Sequence, residues 1–348
     1  MNSVRAHPGQ RGFTLVEILV VVSIIILLVA LMVPAFSVVR TRARVTQTAS
    51  QISSLESGLE AFRGEQALGS IYPPSRSDFA EDRQKIADPN ERTSAPNEPN
   101  VKVTGAHLLL MAMLGADLLG TPGFKDLDYD QIWADDTHAA AGGLHELDQT
   151  TGAPKQPRYG GAGYVGDKMT ASVRTLQQLQ EKAVVAAGGM PQQIDALTLK
   201  QRLFVDPWEH PILYYRANPA AMNMVGVAAN HDAPGIYKQQ DNALIAGFSA
   251  GGTYQCDGID FGGRALGATA RHGISVTAYP STPVIPPSGD NEVLENAAFV
   301  DSFTRFILDG SVQARYTPVR KDTYLLISAG PDAVYGTSDD VTNWEAHE

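Results

Sequence analysis

The sequence predicts an α+β chain: one N-terminal helix of about fifty residues, then a small antiparallel sheet in a loop-rich head. Three observations carry that expectation. Residues Ile18 to Phe36 contain no charge and are almost wholly apolar. The apolar positions then thin to a stripe at helical spacing, Ile52, Leu55, Leu59 and Phe62, which is the pattern of a helix packed along one face. Beyond it, short β-branched and aromatic runs alternate with turns drawn from 32 Gly and 21 Pro.

The 348 residues suffice for one large domain or two ordinary ones. Hydrophobic residues at 43% are too many for general disorder. A formal charge of −11, from 27 Lys+Arg and 38 Asp+Glu, argues against a nucleic-acid partner, which calls for a basic stripe. Cys256 is the single cysteine, so no intrachain disulfide or CxxC motif exists, and it reads as a small buried apolar residue.

At ~1.5 Å per residue, a helix over Ile18–Phe36 matches the ~30 Å hydrocarbon core of a bilayer. Arg5 and Arg11 precede it without an acid, which holds that end in the cytoplasm and sends the rest across. No small-residue cleavage site of the secretory kind follows the run, so the segment is expected to stay. Glu17 is the anomaly. A carboxylate in lipid costs a few kcal/mol and marks a function with a partner. It lies four residues after Phe13, one helical turn away on the same face. A cut between Gly12 and Phe13 would create an α-amino group there to pair with it.

Arg11-Gly12-Phe13-Thr14-Leu15-Val16-Glu17, followed by about twenty apolar residues, resembles the class III leader of type IV prepilins and type II secretion pseudopilins. The resemblance implies cleavage after Gly12 by a prepilin peptidase, N-methylation of Phe13, and assembly into a helical filament. Pro34 matches the family's kink-forming proline and removes one helix hydrogen bond. In a filament, Glu17 would pair with the amine of Phe13 in a neighbour and set the register, buried pairs giving specificity more readily than stability. The implied architecture is pilin-like. Residues 1–12 are the leader, 13–36 the transmembrane half of the helix, 37–64 its amphipathic half ending near Gly64, and 65–348 a periplasmic head. Arg40, Arg42 and Arg44 would sit just outside the membrane.

Within the head, Tyr72-Pro73-Pro74 resembles the turn after this helix in the major (G-type) pseudopilin. Ser75–Asn100 is polar and aperiodic and reads as an insertion. Helices are expected over His107–Leu119 and Lys168–Ala187, the latter burying Val173, Leu176, Leu179 and Val184. Strands are expected at Arg202–Val205, Ile212–Arg216, Ser302–Leu308 and Thr323–Ser328. Asp206-Pro207-Trp208-Glu209-His210-Pro211 resembles a strand-turn of the same pseudopilin, with Glu209 where the family usually has Gly. Ser328 through Trp344 resembles its calcium loop, which implies a structural Ca²⁺ held by the side chains of Asp332, Asp339 and Asp340 with the carbonyls of Ala329 and Thr337. The insertions, about 75–200 and 220–300, match nothing in the family.

Enzyme motifs are weak by comparison. Gly247-Phe248-Ser249-Ala250-Gly251 fits a nucleophile elbow, with Ala243–Ala246 as the strand before it, but the Gly-rich stretch that follows is a poor helix. Gly161 to Gly166 fits G-x-G-x-x-G without a strand in front. His138 and His145, near Asp135, Asp136 and Glu146, lack the tight spacing of a zinc site. The expectation is a non-catalytic filament subunit of the type II secretion pseudopilus, working with other pseudopilins, the peptidase, an inner-membrane platform and a separate ATPase to export proteins. The alternative is a type IV pilin or minor pseudopilin serving adhesion or tip initiation. An anchored esterase using Ser249 ranks third.

Overall fold

The computed structural model describes residues 15–65, 70–75, 104–115, 164–187, 201–217, 237–250, 253–256, 258–261, 269–270, 272–275, 303, 306–307, 309 and 318–344. Helix α1 runs Leu15–Gly64, fifty residues without a break in the backbone. It crosses two compact units, one ending at Thr46 and one beginning at Gln47.

In the first unit, every large apolar side chain described from Leu15 to Val39 is at least 46% exposed. Among the described residues no helix is long and apolar enough to cross a membrane. The expected span 13–36 is only partly covered, because Phe13 and Thr14 and the side chains of Leu31, Val33, Pro34 and Ala35 fall outside the described residues.

In the second unit, the stripe expected from periodicity is the buried face of α1. Ile52, Leu55, Leu59 and Phe62 are 0–3% exposed. Burying a side chain of this kind stabilises by roughly 1.5–3 kcal/mol. Helix α2, Gly105–Leu114, is buried along its whole length. It starts earlier than expected, on a capping box in which Thr104 and His107 bond each other's backbone.

The central sheet has three strands: β3 (Leu213–Arg216), β8 (Tyr324–Ser328) and β9 (Val341–Thr342). They are ordered β3-β8-β9 and all antiparallel. In register, Leu213 meets Ile327 and Arg216 meets Tyr324. Both faces are covered, which is why β8 reads as an unbroken apolar run rather than an alternating one. Tyr214, Tyr324 and Leu326 face the α1–α2 side with Leu55 and Leu59. Leu213, Tyr215, Leu325 and Ile327 face the opposite core, with Ile245, Ile259, Ile274 and Tyr335.

That opposite core draws on sequence from the insertions. Strand β1 (Val173–Thr175) pairs with β2 (Arg202–Phe204), and helix α3 (Leu176–Ala187) follows β1. The expected helix from Lys168 is therefore broken. Asp167–Ser172 is a 3-10 turn and Val173–Thr175 a strand, whose register with β2 outweighs helix propensity. Thr175 and Gln178 then cap α3 reciprocally. Leu176 and Leu179 are buried as expected, while Val173 is half-buried.

Beyond them lie helix α4 (Ala243–Ala246) and two small antiparallel pairs. One joins β4 (Phe248–Ala250) to β5 (Thr253–Cys256), the other β6 (Gly258–Ile259) to β7 (Thr269–Ala270). The expected strand at 302–308 carries helical backbone at Phe303 and Phe306, with the Ile307 amide donating to Phe303 O at 3.1 Å. Its apolar residues Phe303, Phe306 and Ile307 stand at helical, not strand, spacing. Together, an N-terminal helix followed by a small antiparallel sheet in a mixed helix/strand chain is an α+β fold consistent with a pilin.

Candidate functional site

Two regions carry the expected site residues. The first is the N-terminal segment. Gly12 and Phe13 lie outside the described residues, as does the Pro34 side chain, although the α1 backbone runs through position 34 as regular helix. Glu17 sits in the first turn of α1 and is exposed, among exposed Leu15, Val16, Ile18 and Leu19. A carboxylate in such an apolar surface is costly to bury unless a cation or donor meets it. The segment presents wide apolar cover interrupted by one carboxylate.

The second is where the Asp206–Pro211 turn meets the loop after β8. Asp206 is 2% exposed. Its Oδ1 accepts the amides of Trp208 at 2.8 Å and His210 at 2.9 Å, folding the turn around the carboxylate. Its Oδ2 accepts the Ser328 hydroxyl at 2.6 Å, which joins the turn to β8. Burial raises the Asp206 pKa, opposed by the His210 ring at 3.6 Å, the Ser328 hydroxyl and the two amides. Burial likewise lowers that of His210, against the pull of Asp206. Because His210 Nδ1 contacts the Gly330 carbonyl at 3.0 Å, this nitrogen carries the proton and donates. Tyr335, fully buried, donates its hydroxyl to Pro211 O at 2.7 Å.

Glu209 tests the one departure from the family's turn. Its φ of 69° is left-handed, the conformation that favours glycine. This chain keeps the glycine geometry with a glutamate. The carboxylate is paired to Lys182 of α3 and lies 3.6 Å from Arg174 of β1, and Lys182 and then Arg174 hold its pKa below the ordinary value. The pairs run from the turn to α3 and β1 of the insertion.

The acidic loop is tight. Gly330 and Gly336 have φ of 60° and 88°, and a Cβ on Gly330 would lie 2.2 Å from Asp339 O. Asp332 Oδ1 accepts the Val334 amide at 2.7 Å, and Asp339 Oδ2 accepts the Asp332 amide at 3.2 Å. Asp340 Oδ2 accepts the Gly336 amide at 2.7 Å. The Thr337 hydroxyl stands between two carboxylates, 2.5 Å from Asp339 Oδ1 and 3.3 Å from Asp340 Oδ1. Burial is the chief cause that pushes Asp340 up to about 8, with the charges of Asp339 and Asp332 adding to it and the Gly336 amide opposing.

Calcium wants six to eight oxygens with free lone pairs at about 2.3–2.6 Å. Asp332, Asp339, Asp340, Ala329 and Thr337 are gathered in one loop, as the resemblance implies. Their carboxylate oxygens, however, mostly point at donors within the loop, and the Thr337 carbonyl faces the Asp340 amide at 3.4 Å. Among the described residues no group of three or more His, Cys, Asp or Glu side chains is placed to hold a metal ion. The donor set as arranged does not fit the ion.

The enzyme motifs fare differently from their sequence expectation. Around Ser249 the backbone runs helix α4, Gly247, strand β4, the reverse of the strand–turn–helix order of a nucleophile elbow. Val165, inside Gly161–Gly166, packs in the core near Gly58. The side chains of Ser249 and Cys256, and residues Asp135, Asp136, His138, His145 and Glu146, lie outside the described residues. Sequence reasoning missed His272, which joins this loop to an insertion. No local pattern marks it, since its partners are 13 and 63 residues away.

Comparison with known proteins bears on the first region. Residues 7–33 match the prokaryotic N-terminal methylation motif. Two fimbrial proteins of Pseudomonas aeruginosa are each 35% identical over 67 residues, 19% of this chain. The chain spans less than half, 44%, of the length of these curated relatives. No solved structure matches the chain. The motif and the fimbrial likeness support the pilin family.

Proposed function

We propose that this chain is a structural subunit of a type II secretion pseudopilus, polymerised through its N-terminal helix to drive protein export. The observation that carries the filament reading is α1 itself. One unbroken helix exposes an apolar surface over its N-terminal half and buries a stripe over its C-terminal half. Exposed apolar surface of that extent is driven out of water, into lipid before assembly and against neighbouring helices after it. The Asp206–Pro211 turn, Glu209 apart, and the acidic loop after β8 resemble those of the major pseudopilin in sequence and favour the pseudopilin. The fimbrial likeness favours the second reading, a type IV pilin or minor pseudopilin used in adhesion or tip initiation.

In this reading a prepilin peptidase hydrolyses the Gly12–Phe13 bond, and the freed amine of Phe13 is methylated. Removing the basic leader releases the subunit from the inner membrane, where its head lies in the periplasm. Glu17 then meets the Phe13 amine of a neighbour as helices pack. Partners are other pseudopilins, the peptidase and the inner-membrane platform.

The test replaces Glu17 by Leu in cells expressing the full machinery. Membrane insertion should persist or strengthen, because a costly charge is gone. Filament yield should fall at least about tenfold, the scale of losing ~1.4 kcal/mol of assembly energy per contact. Glu17→Leu filaments at normal yield and register would refute the pairing.

A further inference from the structure

We propose that the acidic loop after β8 is latched by protein groups alone, with His272–Ile274 of an insertion closing on its backbone at Tyr335 and Gly336. The latch centres on Tyr335. Its amide lies 3.4 Å from His272 Nδ1, and its carbonyl accepts the Ile274 amide at 3.0 Å. An amide only donates, so His272 Nδ1 accepts, and Nε2 carries the proton it gives to Ile259 O at 2.9 Å. His272 is fully buried, and this single neutral tautomer satisfies both ring nitrogens. It ties the acidic loop to β6.

Backbones also close on each other. A Cβ on Gly273 would sit 2.8 Å from Gly336 O and 3.0 Å from Tyr335 O, and one on Gly336 would meet Ile274 N at 2.4 Å. Gln239 Nε2 donates to Ile274 O at 2.6 Å, fixing the far side of the latch.

Inside the loop, the donors that would have to give way to a cation already serve it. Val334, Asp332 and Gly336 supply amides to the three aspartates, and Thr337 supplies its hydroxyl. Among the described residues, no three His, Cys, Asp or Glu side chains are placed together to hold a cation here. The C-terminal strand β9 is instead held by its pairing with Ile327 and Ser328, by Asn343 bonding the Leu326 amide at 2.9 Å, and by Arg320 bonding Asn343 O at 2.8 Å. The 220–300 insertion thus supplies the wall that closes this loop.

The experiment measures amide hydrogen exchange and thermal unfolding of the full chain in detergent, first with millimolar calcium and then with chelator. Protection at Tyr335, Gly336 and Asp340, and the melting temperature, should be the same in both. Saturable calcium binding that raises the melting temperature, or protection lost on chelation, overturns the proposal. Gly273→Ala then drives a methyl into the Tyr335–Gly336 backbone from the insertion side. It should cut protection at Tyr335 and Ile274 by about tenfold or more while leaving Leu326 and Ile327 unchanged, as a local opening does. Unchanged exchange at Tyr335 in Gly273→Ala also overturns it. His272→Leu, which keeps bulk but removes the acceptor, gives a second reading of the same amides. The calcium comparison on the wild-type chain decides even if neither variant folds.

Discussion

Asp206 is the sharpest place to perturb the head, because one buried carboxylate organises both the turn and its joint with β8. Replacing it by Ala leaves the Trp208 and His210 amides, now 2.8 and 2.9 Å from an acceptor, with none. The His210 amide, buried, costs about 1–3 kcal/mol as an orphan, and the part-buried Trp208 amide costs less. The Ser328 hydroxyl can rotate to another acceptor, but the amides are fixed by the backbone. His210, 6% exposed and kept neutral by burial, also loses the carboxylate 3.6 Å from its ring. Asp206→Asn keeps an oxygen for the amides and turns an NH₂ toward Ser328 Oγ, which then accepts. Its cost should be near ~1 kcal/mol. The assay is urea unfolding of the full chain in detergent, followed by tryptophan fluorescence. With a slope of roughly 1–3 kcal/mol/M, Asp206→Ala should lower the midpoint by about 1 M or more. A midpoint within ~0.3 M of wild type for Asp206→Ala, or equal losses for Ala and Asn, would refute this role for the carboxylate.

Two further predictions use the same assay. Glu209→Gly removes left-handed strain of about 1–2 kcal/mol and two exposed ion pairs worth ~0–1 kcal/mol. It should be neutral or slightly stabilising, and a loss above ~1 kcal/mol would show that Lys182 and Arg174 hold the turn. His107, fully buried with its pKa lowered by burial to about 3, must stay neutral in the folded head. Stability is therefore full above the unfolded pKa near 6.5 and falls as pH drops toward 3, by about 2 kcal/mol at pH 5 at ~1.36 kcal/mol per unit. His107→Gln keeps an acceptor for the Thr104 amide and should flatten that slope; an unchanged slope would clear His107 of the effect.

The long helix was legible in the sequence because both its halves speak in period: an uncharged run, then apolar residues at spacings of 3, 4 and 3. Strands β2, β3 and β8 were legible as apolar runs between turns. Strand β1 was not, because Val173-Arg174-Thr175 continues the spacing of α3 and only pairing with β2 makes it extended. Phe303, Phe306 and Ile307 were misjudged for the opposite reason, since aromatic composition suggested a strand while their spacing was helical. At the candidate site, Asp206 and the acidic loop stood out as motifs. The joint between them did not, because Ser328, Gly330 and Tyr335 reach the turn across more than a hundred residues. The His272 latch has no local signature at all, and the Glu209 conformation is a property of what packs around it.

The central claim is that this chain becomes a filament subunit by cleavage before Phe13. It is tested most directly by intact mass and N-terminal sequencing of protein extracted from membranes of cells with an active prepilin peptidase. The expected product is a mature chain beginning at N-methyl-Phe13, twelve residues shorter than the precursor. A membrane-extracted chain that still begins at Met1, or is cut elsewhere, would contradict it.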